Sequence, residues 1–452
     1  MKEFTEEDID RIRKIADDRN EDAAREELNE LHPADIAELF QDLNVNQAEF
    51  LYRLLDEDTA ADVLIELDED DRRKLLEGME PEEIAKQIDH LDTDDAVDII
   101  QELDEEDREE VLTRLDDVEQ AGDIIDLLKY DEDTAGGLMG TEMIVVNENW
   151  SMPECIKQMR MQAEDLDEIY YVYVVDNDNK LRGVLPLKEL ITHPSVSKIK
   201  HVMETDPVAV KAETPIDDVA LDFEKYDLVA MPVVDSIGRL LGRITVDDVM
   251  DQVRESTERD YQLASGLSSD VESDDTLFTQ TKARLPWLLI GMAGGIANSM
   301  ILGGYEAGFA ADPTLALFIP LIGGTGGNVG TQSSAIVVQG LANGSMDVRN
   351  SVSQLFKELG VGLINGCIIS LLVFVYNFFK LGGAQVTTIA VSLSLLAVVL
   401  FASVFGTFVP LTLERFKVDP ALATGPFISI TNDIIGMVIY MGISTWLLTS
   451  LV

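Results

Sequence analysis

The residues best placed to do chemistry are carboxylates in two settings. The first is Asp433, in the last apolar run of the chain, Asp419 to Leu451, which begins DPALATGPFISITND. From Ala421 onward this run is long enough to cross a bilayer, which needs roughly 20 apolar residues, and within it Asp433 is the one charge. A carboxylate at mid-bilayer is costly, so it faces a polar cavity or a partner. Pairing with a buried cation inside a helical bundle is one reading. No Lys or Arg lies deep in any other apolar run, which favours an acid facing an aqueous path, and hence a cation site. The second setting is the group Asp94, Asp95 and Asp98, where i, i+4 spacing puts carboxylates on one helical face. Hard cations take oxygen ligands, although for most acids of that region a solvated face is the simpler reading.

These two settings belong to chemically different halves. The 452 residues carry 85 Asp and Glu against 34 Lys and Arg, a net charge of −51. Only seven acids and six bases lie after Ala283. A very acidic, soluble part therefore precedes a nearly neutral, apolar one. Such charge repels nucleic acid and anionic lipid and attracts cations. The two cysteines, Cys155 and Cys367, offer neither a disulfide framework nor a thiolate cluster. The N-terminus, MKEFTEEDIDRIRK, has no apolar core and reads as no signal peptide.

Residues 31 to 127 repeat with a period of twelve: Leu31, Leu43, Leu55, Leu67, Met79, Leu91, Leu103, Leu115 and Leu127. An acid follows most of them and can cap a helix, while Pro33 and Pro81 suit a first helical turn. Helices this short cannot stand alone, so stacking must bury their leucines. Residues 1–134 are thus expected to form an all-α superhelix. From Met139 the texture changes. Two stretches echo one another, IYYVYVVDNDNKLRGVLPLKELI and LVAMPVVDSIGRLLGRITVDDVM, each preceded by a strand and a helix. Residues 135–250 resemble a tandem pair of cystathionine-β-synthase (CBS) domains, an α/β family of adenosine-ligand sensors. The second copy carries Gly242-Arg243-Ile244-Thr245-Val246-Asp247-Asp248; the resemblance implies that Thr245 and Asp248 lie near a nucleotide, with ATP as the candidate ligand. Pro186 and Glu189 stand at those places in the first copy, so one site at most is intact. A dimerising module without nucleotide is the alternative.

Residues 251–283 read as a connecting helix and linker, and residues 284–452 as a membrane domain of five helices, about Leu285–Phe309, Thr314–Leu341, Leu355–Phe379, Val386–Leu413 and Ala421–Leu451. Arg284, Arg349, Lys357, Arg415 and Lys417 flank one side and Lys380 the other. The positive-inside rule then puts the N-terminus in the cytosol and the C-terminus outside. The second span holds GGTGGNVGTQSS, with more glycine than a plain helix carries. Tight helix packing and irregular backbone lining a wet path are both open readings; Asn328, Thr331, Gln332 and Ser333 favour the second.

The order of parts, together with TAGGLM (Thr134–Met139), GGTGGNVGTQS in the second span and VDPALATGP with Asn432-Asp433 in the fifth, resembles the MgtE magnesium channels. The resemblance implies a multidomain membrane protein and a homodimer whose pore lies on the two-fold axis. It implies that Asp433, twice, faces hydrated Mg²⁺, with Asn328 near the pore. It also implies that cytosolic Mg²⁺ closes the pore by binding Asp62, Asp94, Asp98, Asp217, Asp227, Asp248, Asp251, Asp260 and Asp419. Pro215 and Arg259 stand where acids are expected, and Gly425 makes the pore lining less polar than the family pattern. One acid per subunit, doubled by symmetry, suits an ion that keeps its waters, as Mg²⁺ does. The alternatives are a coupled transporter of Mg²⁺, Co²⁺ or Mn²⁺, a membrane-anchored nucleotide sensor without transport, and an intramembrane aspartyl enzyme, which would need a second carboxylate at the site.

Overall fold

The computed structural model describes residues 4–451 apart from 30, 167–168, 195, 270, 272–274, 343–344, 347–350, 384 and 424. Arg349, one of the flanking charges above, lies outside the described residues. The chain divides into two compact units, Met1–Val253 and Arg254–Val452.

In the first unit, ten short helices run from α1 (Glu6–Asp17) to α10 (Val118–Leu127) among the described residues. The repeat of twelve sets their spacing, and most pack on a neighbour two along in the series, which buries the leucine face of each. The acid after the repeat leucine works as expected at Asp56 and Asp104, whose carboxylates accept from the amides of Thr59 and Asp107, both at 3.1 Å. Pro33 and Pro81 open α3 (Pro33–Gln41) and α7 (Pro81–Ile88). Asp68 and Asp92 depart from this: they stand at the N-caps of α6 (Glu69–Leu76) and α8 (Thr93–Glu102) but make no capping bond there, and Asp68 accepts instead from Gln41 Nε2.

Two small sheets follow. The first has the order β1 (Ile144–Asn147), β2 (Val172–Val175), β3 (Leu181–Leu185), β4 (Glu204–Thr205); β1 and β2 are parallel, the other pairs antiparallel. The second, β5 (Val210–Lys211), β6 (Ala230–Val234) and β7 (Leu240–Thr245), repeats the parallel-then-antiparallel pattern. Helices α11 (Met152–Gln162), α12 (Leu187–Thr192) and α13 (Ile216–Tyr226) cover them. The first copy keeps its own core around Ile144, Val172 and Ile199. The second shares a core with the helical domain, continuous from Leu127 through Ala135 and Met139 to Met231 and Ile244. The TAGGLM segment makes that junction: the amides of Ala135 and Gly136 donate to the carbonyls of Thr214 and Ala212, both at 2.8 Å. One polar helix, α14 (Val246–Ser265), leaves β7 directly.

The second unit is a helical bundle: α15 (Leu277–Gly303), α16 (Glu306–Ala311), α17 (Ile319–Ala342), α18 (Ser351–Leu381), α19 (Val386–Arg415) and α20 (Pro426–Leu451). Among the described residues four helices are long and apolar enough to cross a membrane: α15, α18, α19 and, over Pro426–Ser450, α20. The glycine-rich α17 is not apolar enough to join them by composition, although its 24 residues span roughly 36 Å at 1.5 Å per residue. It is held between α19 and α20. Despite its glycines α17 is an unbroken helix. The glycines are taken up by packing. A Cβ on Gly326 would stand 2.8 Å from Val398, and one on Gly330 would stand 1.9 Å from Asn432 Nδ2. Of the two readings left open by the sequence, close packing therefore accounts for these positions. Gly425 has a structural reason too. It adopts φ +54°, and a Cβ there would lie 2.2 Å from the carbonyl oxygen of Ala264, so the end of α14 rests on the start of α20.

Candidate metal centres

In the second unit, α20 carries Asp433 half-buried against the glycine face of α17. Its Oδ1 lies 3.3 Å from where a Cβ on Gly323 would be and 3.6 Å from one on Gly327. Ser429, one turn earlier, reaches the same face, 2.8 Å from the Gly327 position. Small residues thus let a carboxylate sit between two membrane helices, and among the described residues no Lys or Arg pairs with it. Asn328 is exposed, next in sequence to the packed Gly327. Asn432, beside Asp433, is buried at 1% exposure, and neither of its amide atoms has a hydrogen-bond partner among the described residues. A second membrane-domain acid also emerges. Glu358, near the start of α18, is 5% exposed and accepts a hydrogen bond from Ser333 Oγ at 3.2 Å. The sequence signal was there, a Lys357-Glu358 pair inside an apolar run, but it was read as the flank of a span.

In the first unit the structure gathers Asp94, Thr245 and Asp248 and adds Asp92, Asp95, Glu142 and Arg243; Asp98, one turn further along α8, is exposed and does not line the cavity. Carboxylate oxygens of Asp92, Asp94 and Glu142 lie within 4.8 Å of one another. A cavity of about 230 Å³ opens beside them, lined by Asp92, Asp94, Asp95, Asp247 and Asp248 together with Tyr170, Arg243 and Thr245. Gly140 is needed here, since a Cβ would come 2.8 Å from Asp94 Oδ2 and 2.9 Å from Glu142 Oε2. Hydrogen bonds fix the frame. The Thr93 amide donates to Glu142 Oε1 at 3.0 Å, and the Thr141 amide donates to Thr93 Oγ1 at 2.9 Å. Thr245 Oγ1 and its amide both donate to Asp248. Clustered all-oxygen donors with room for water fit a hard dication such as Mg²⁺, which is bound through a few carboxylates and keeps several waters.

Crowded carboxylates show the expected response. Burial, then the charges of Asp95 and Asp248, raises Asp94 well above the ordinary carboxylate range. Burial, then Asp248 and Asp98, pushes Asp95 up to about 8. Asp248 is raised by burial and held back by its bonds from Thr245. Asp98 is exposed on α8, where surrounding protein raises its carboxyl to about 6 and Arg72 opposes the rise.

The other sequence-proposed acids are not drawn into this cluster. Asp62, on α5 (Glu57–Glu66), is exposed; Asp217 and Asp227 are exposed at the two ends of α13; Asp251 is exposed one turn after Asp248. In the second unit Asp260 is half-buried on α14, and Asp419 is exposed, accepting from the Ala421 amide at 2.7 Å. Arg259 pairs with Glu255 at 2.7 Å. Beside the acidic cavity, a cleft of about 10 Å³ is lined by Tyr170, Tyr171, Tyr173 and Arg243. That is far below the several hundred Å³ of a nucleotide-sized pocket.

Residues 319–443 match the divalent cation transporter family MgtE, residues 31–133 the MgtE intracellular N domain, and residues 135–195 and 199–255 the CBS domain. The chain is 36% identical to the magnesium transporter MgtE of Thermus thermophilus over 329 residues, 71% of this chain and 72% of that protein. It is 31% identical to the Bacillus subtilis magnesium transporter MgtE over 72% of each. Two solved structures resemble the first unit's half of the chain. They are the soluble part of a magnesium transporter (31% identity, TM-score 0.50, 56% of this chain and 98% of that one) and the cytosolic domain of the Mg²⁺ channel MgtE in complex with ATP (33%, 0.51, 53% and 98%).

The raised carboxyls have a signed consequence. A folded-state pKa above the unfolded one makes protonation favour folding, so without dications these groups contribute stability that is complete below the ordinary value of 3.8 and lost as pH rises through about 8 for Asp95. A dication replaces those protons. Mg²⁺ should therefore raise the melting temperature of the first unit's transition more at about pH 8 than at about pH 5, and Asp95→Asn should flatten that difference. Calorimetry of the full chain at the two pH values decides it; an equal Mg²⁺ effect at both would mean that protons and metal do not share the cluster.

Proposed function

Because this chain belongs to the MgtE family of divalent cation transporters, we propose that it imports Mg²⁺ across the cytoplasmic membrane as a homodimeric channel closed by cytosolic Mg²⁺. The observation that carries the transport reading is Asp433, a carboxylate set between apolar helices on a glycine face, with no described cationic partner. A mid-membrane acid without a counter-charge is a functional residue by default. In a dimer it occurs twice, and two carboxylates can read a hydrated dication without stripping its waters. Asn328 is the proposed second pore residue. The five-span topology counts α17, packed against α19 and α20, as the second span, with the N-terminus cytosolic and the C-terminus outside. The relatives matched over more than two thirds of this chain are named magnesium transporters, a non-enzymatic function.

For the gate, the acidic cavity of the first unit is the strongest candidate. Asp94 and Asp248 would bind Mg²⁺ there with Asp92, Asp95 and Glu142 beside them, and Asp98 one turn further along α8. Asp62, Asp217, Asp227, Asp251, Asp260 and Asp419 are the further candidates; all but the half-buried Asp260 are exposed. The arithmetic suffices. A site occupied only in the closed state adds roughly 1.4 kcal/mol at ten times Kd, and moving a gate from about 1:99 to 99:1 takes roughly 5.5 kcal/mol. About four weak sites would close it.

Nucleotide is a modulator in this reading. At Thr245 and Asp248 a polyphosphate would meet Asp92, Asp94 and Asp95, so ATP is expected to bind only with a dication between the charges, and only after the tyrosine cleft widens. Calorimetry on the full chain should show ATP heat in Mg²⁺ and little in chelator; equal binding in both, or none in either, removes this arrangement.

Transport itself is tested in a cell that lacks its own Mg²⁺ uptake. The wild-type chain should rescue growth at low Mg²⁺, and Asp433→Asn should abolish rescue while expression and dimerisation persist. Rescue at the wild-type level would make Asp433 structural and end the pore assignment.

A further inference from the structure

We propose that Arg243 is the positioning residue that seats the helical domain on the CBS pair, acting as a tethered cation for the acid cluster. Three observations carry this. First, the side chain is 10% exposed and its Nε and Nη2 contacts run to the junction. Its Nη2 lies 3.1 Å from Asp92 Oδ2, its Nε donates to the carbonyl of Glu142, and its guanidinium stands 5.7 Å from the Tyr170 ring centroid. Second, the strand that bears it is locked to the segment before β1. The Arg243 amide donates to Gly140 O at 2.8 Å, and the Gly140 amide donates back to Arg243 O at 2.9 Å. The guanidinium is therefore aimed by backbone and is not free to wander.

Third, its partner is released from capping. Asp56 and Asp104 spend their carboxylates capping their helices, whereas Asp68 and Asp92 at the equivalent places make no cap; Asp68 accepts from Gln41, and Asp92 faces Arg243. The equivalent amide of α8, at Asp95, donates instead to Asp94 Oδ1 at 3.2 Å, and the first amide, at Thr93, donates to Glu142 Oε1. Among the described residues Arg243 is the one basic group lining the cavity. It supplies a fixed positive charge to carboxylates that would otherwise repel one another across the junction. Guanidinium suits the task because it stays charged and directs several donors at once. The inference deepens the cation-lock reading: Mg²⁺ and Arg243 serve the same acids, one exchangeable and one covalently held.

Hydrogen exchange of the full chain in detergent micelles tests it. The Thr93 and Thr141 amides bond only across the junction, so their exchange reports seating. In chelator, Arg243→Met should raise their exchange roughly tenfold, the scale of one charge-assisted hydrogen bond. Arg243→Lys should raise it less, and the amides of β6 should not change. Asp92→Asn should match Arg243→Met, with the double variant no worse, since the two act as one unit. Millimolar Mg²⁺ should restore protection in the two Arg243 variants, which keep every carboxylate of the site. Unchanged exchange in chelator would overturn the proposal, as would exchange that spreads through β6 and is not restored by Mg²⁺, which marks an ordinary core residue. The lock fails separately, if Mg²⁺ leaves wild-type exchange unaltered; the chelator comparison then still decides the role of Arg243.

Discussion

Like charges brought together away from bulk water repel unless something positive is placed between them, and the junction of the helical domain with the CBS pair is made of such charges. Asp92, Asp94 and Asp95 come from one helix start, Glu142 from the segment before β1, and Asp248 from the start of α14. The apolar core beneath them is continuous, so the junction is held together by burial and strained by electrostatics. Protons, dications and Arg243 are the three ways to relieve that strain. A contact balanced in this manner responds to the ions around it, which a purely apolar junction would not.

The membrane unit meets the opposite problem with the same economy. There one carboxylate, Asp433, must be tolerated among apolar helices, and the solution is space rather than counter-charge. Glycines of α17 let α20 come close enough to place the acid on a helix face without enclosing it. The left-handed turn at Gly425 then sets the end of α14 against the first residues of α20. The last turn of α14 thus lies against the start of the helix that bears the acid.

Local pattern made much of this legible. The leucines at intervals of twelve specify short stacked helices, and the alternation of β-branched runs with turns specifies the two sheets. The lone charge of the last span marks Asp433 without any structure. What sequence could not supply was juxtaposition. Asp92 and Arg243 are 151 residues apart, and nothing near Asp92 distinguishes it from Asp56 or Asp104, which do cap their helices. Glycine content was ambiguous for a physical reason: the lack of a side chain serves an irregular backbone and close packing equally, and only the neighbours of Gly326 and Gly330 separate the two. Gly425, read as a less polar lining, proves to be required by backbone conformation and by the approach of Ala264.

In the proposed gate, specific carboxylate sites, and not the overall charge of −51, sense the cation. General screening would also draw an acidic assembly together, because any salt shortens the Debye length. Flux through the protein in proteoliposomes, measured with millimolar Mg²⁺ on the cytosolic face and again with NaCl of matched ionic strength, separates the two. Specific sites predict that Mg²⁺ closes the path while NaCl leaves it open; equal closure by both salts would contradict the account.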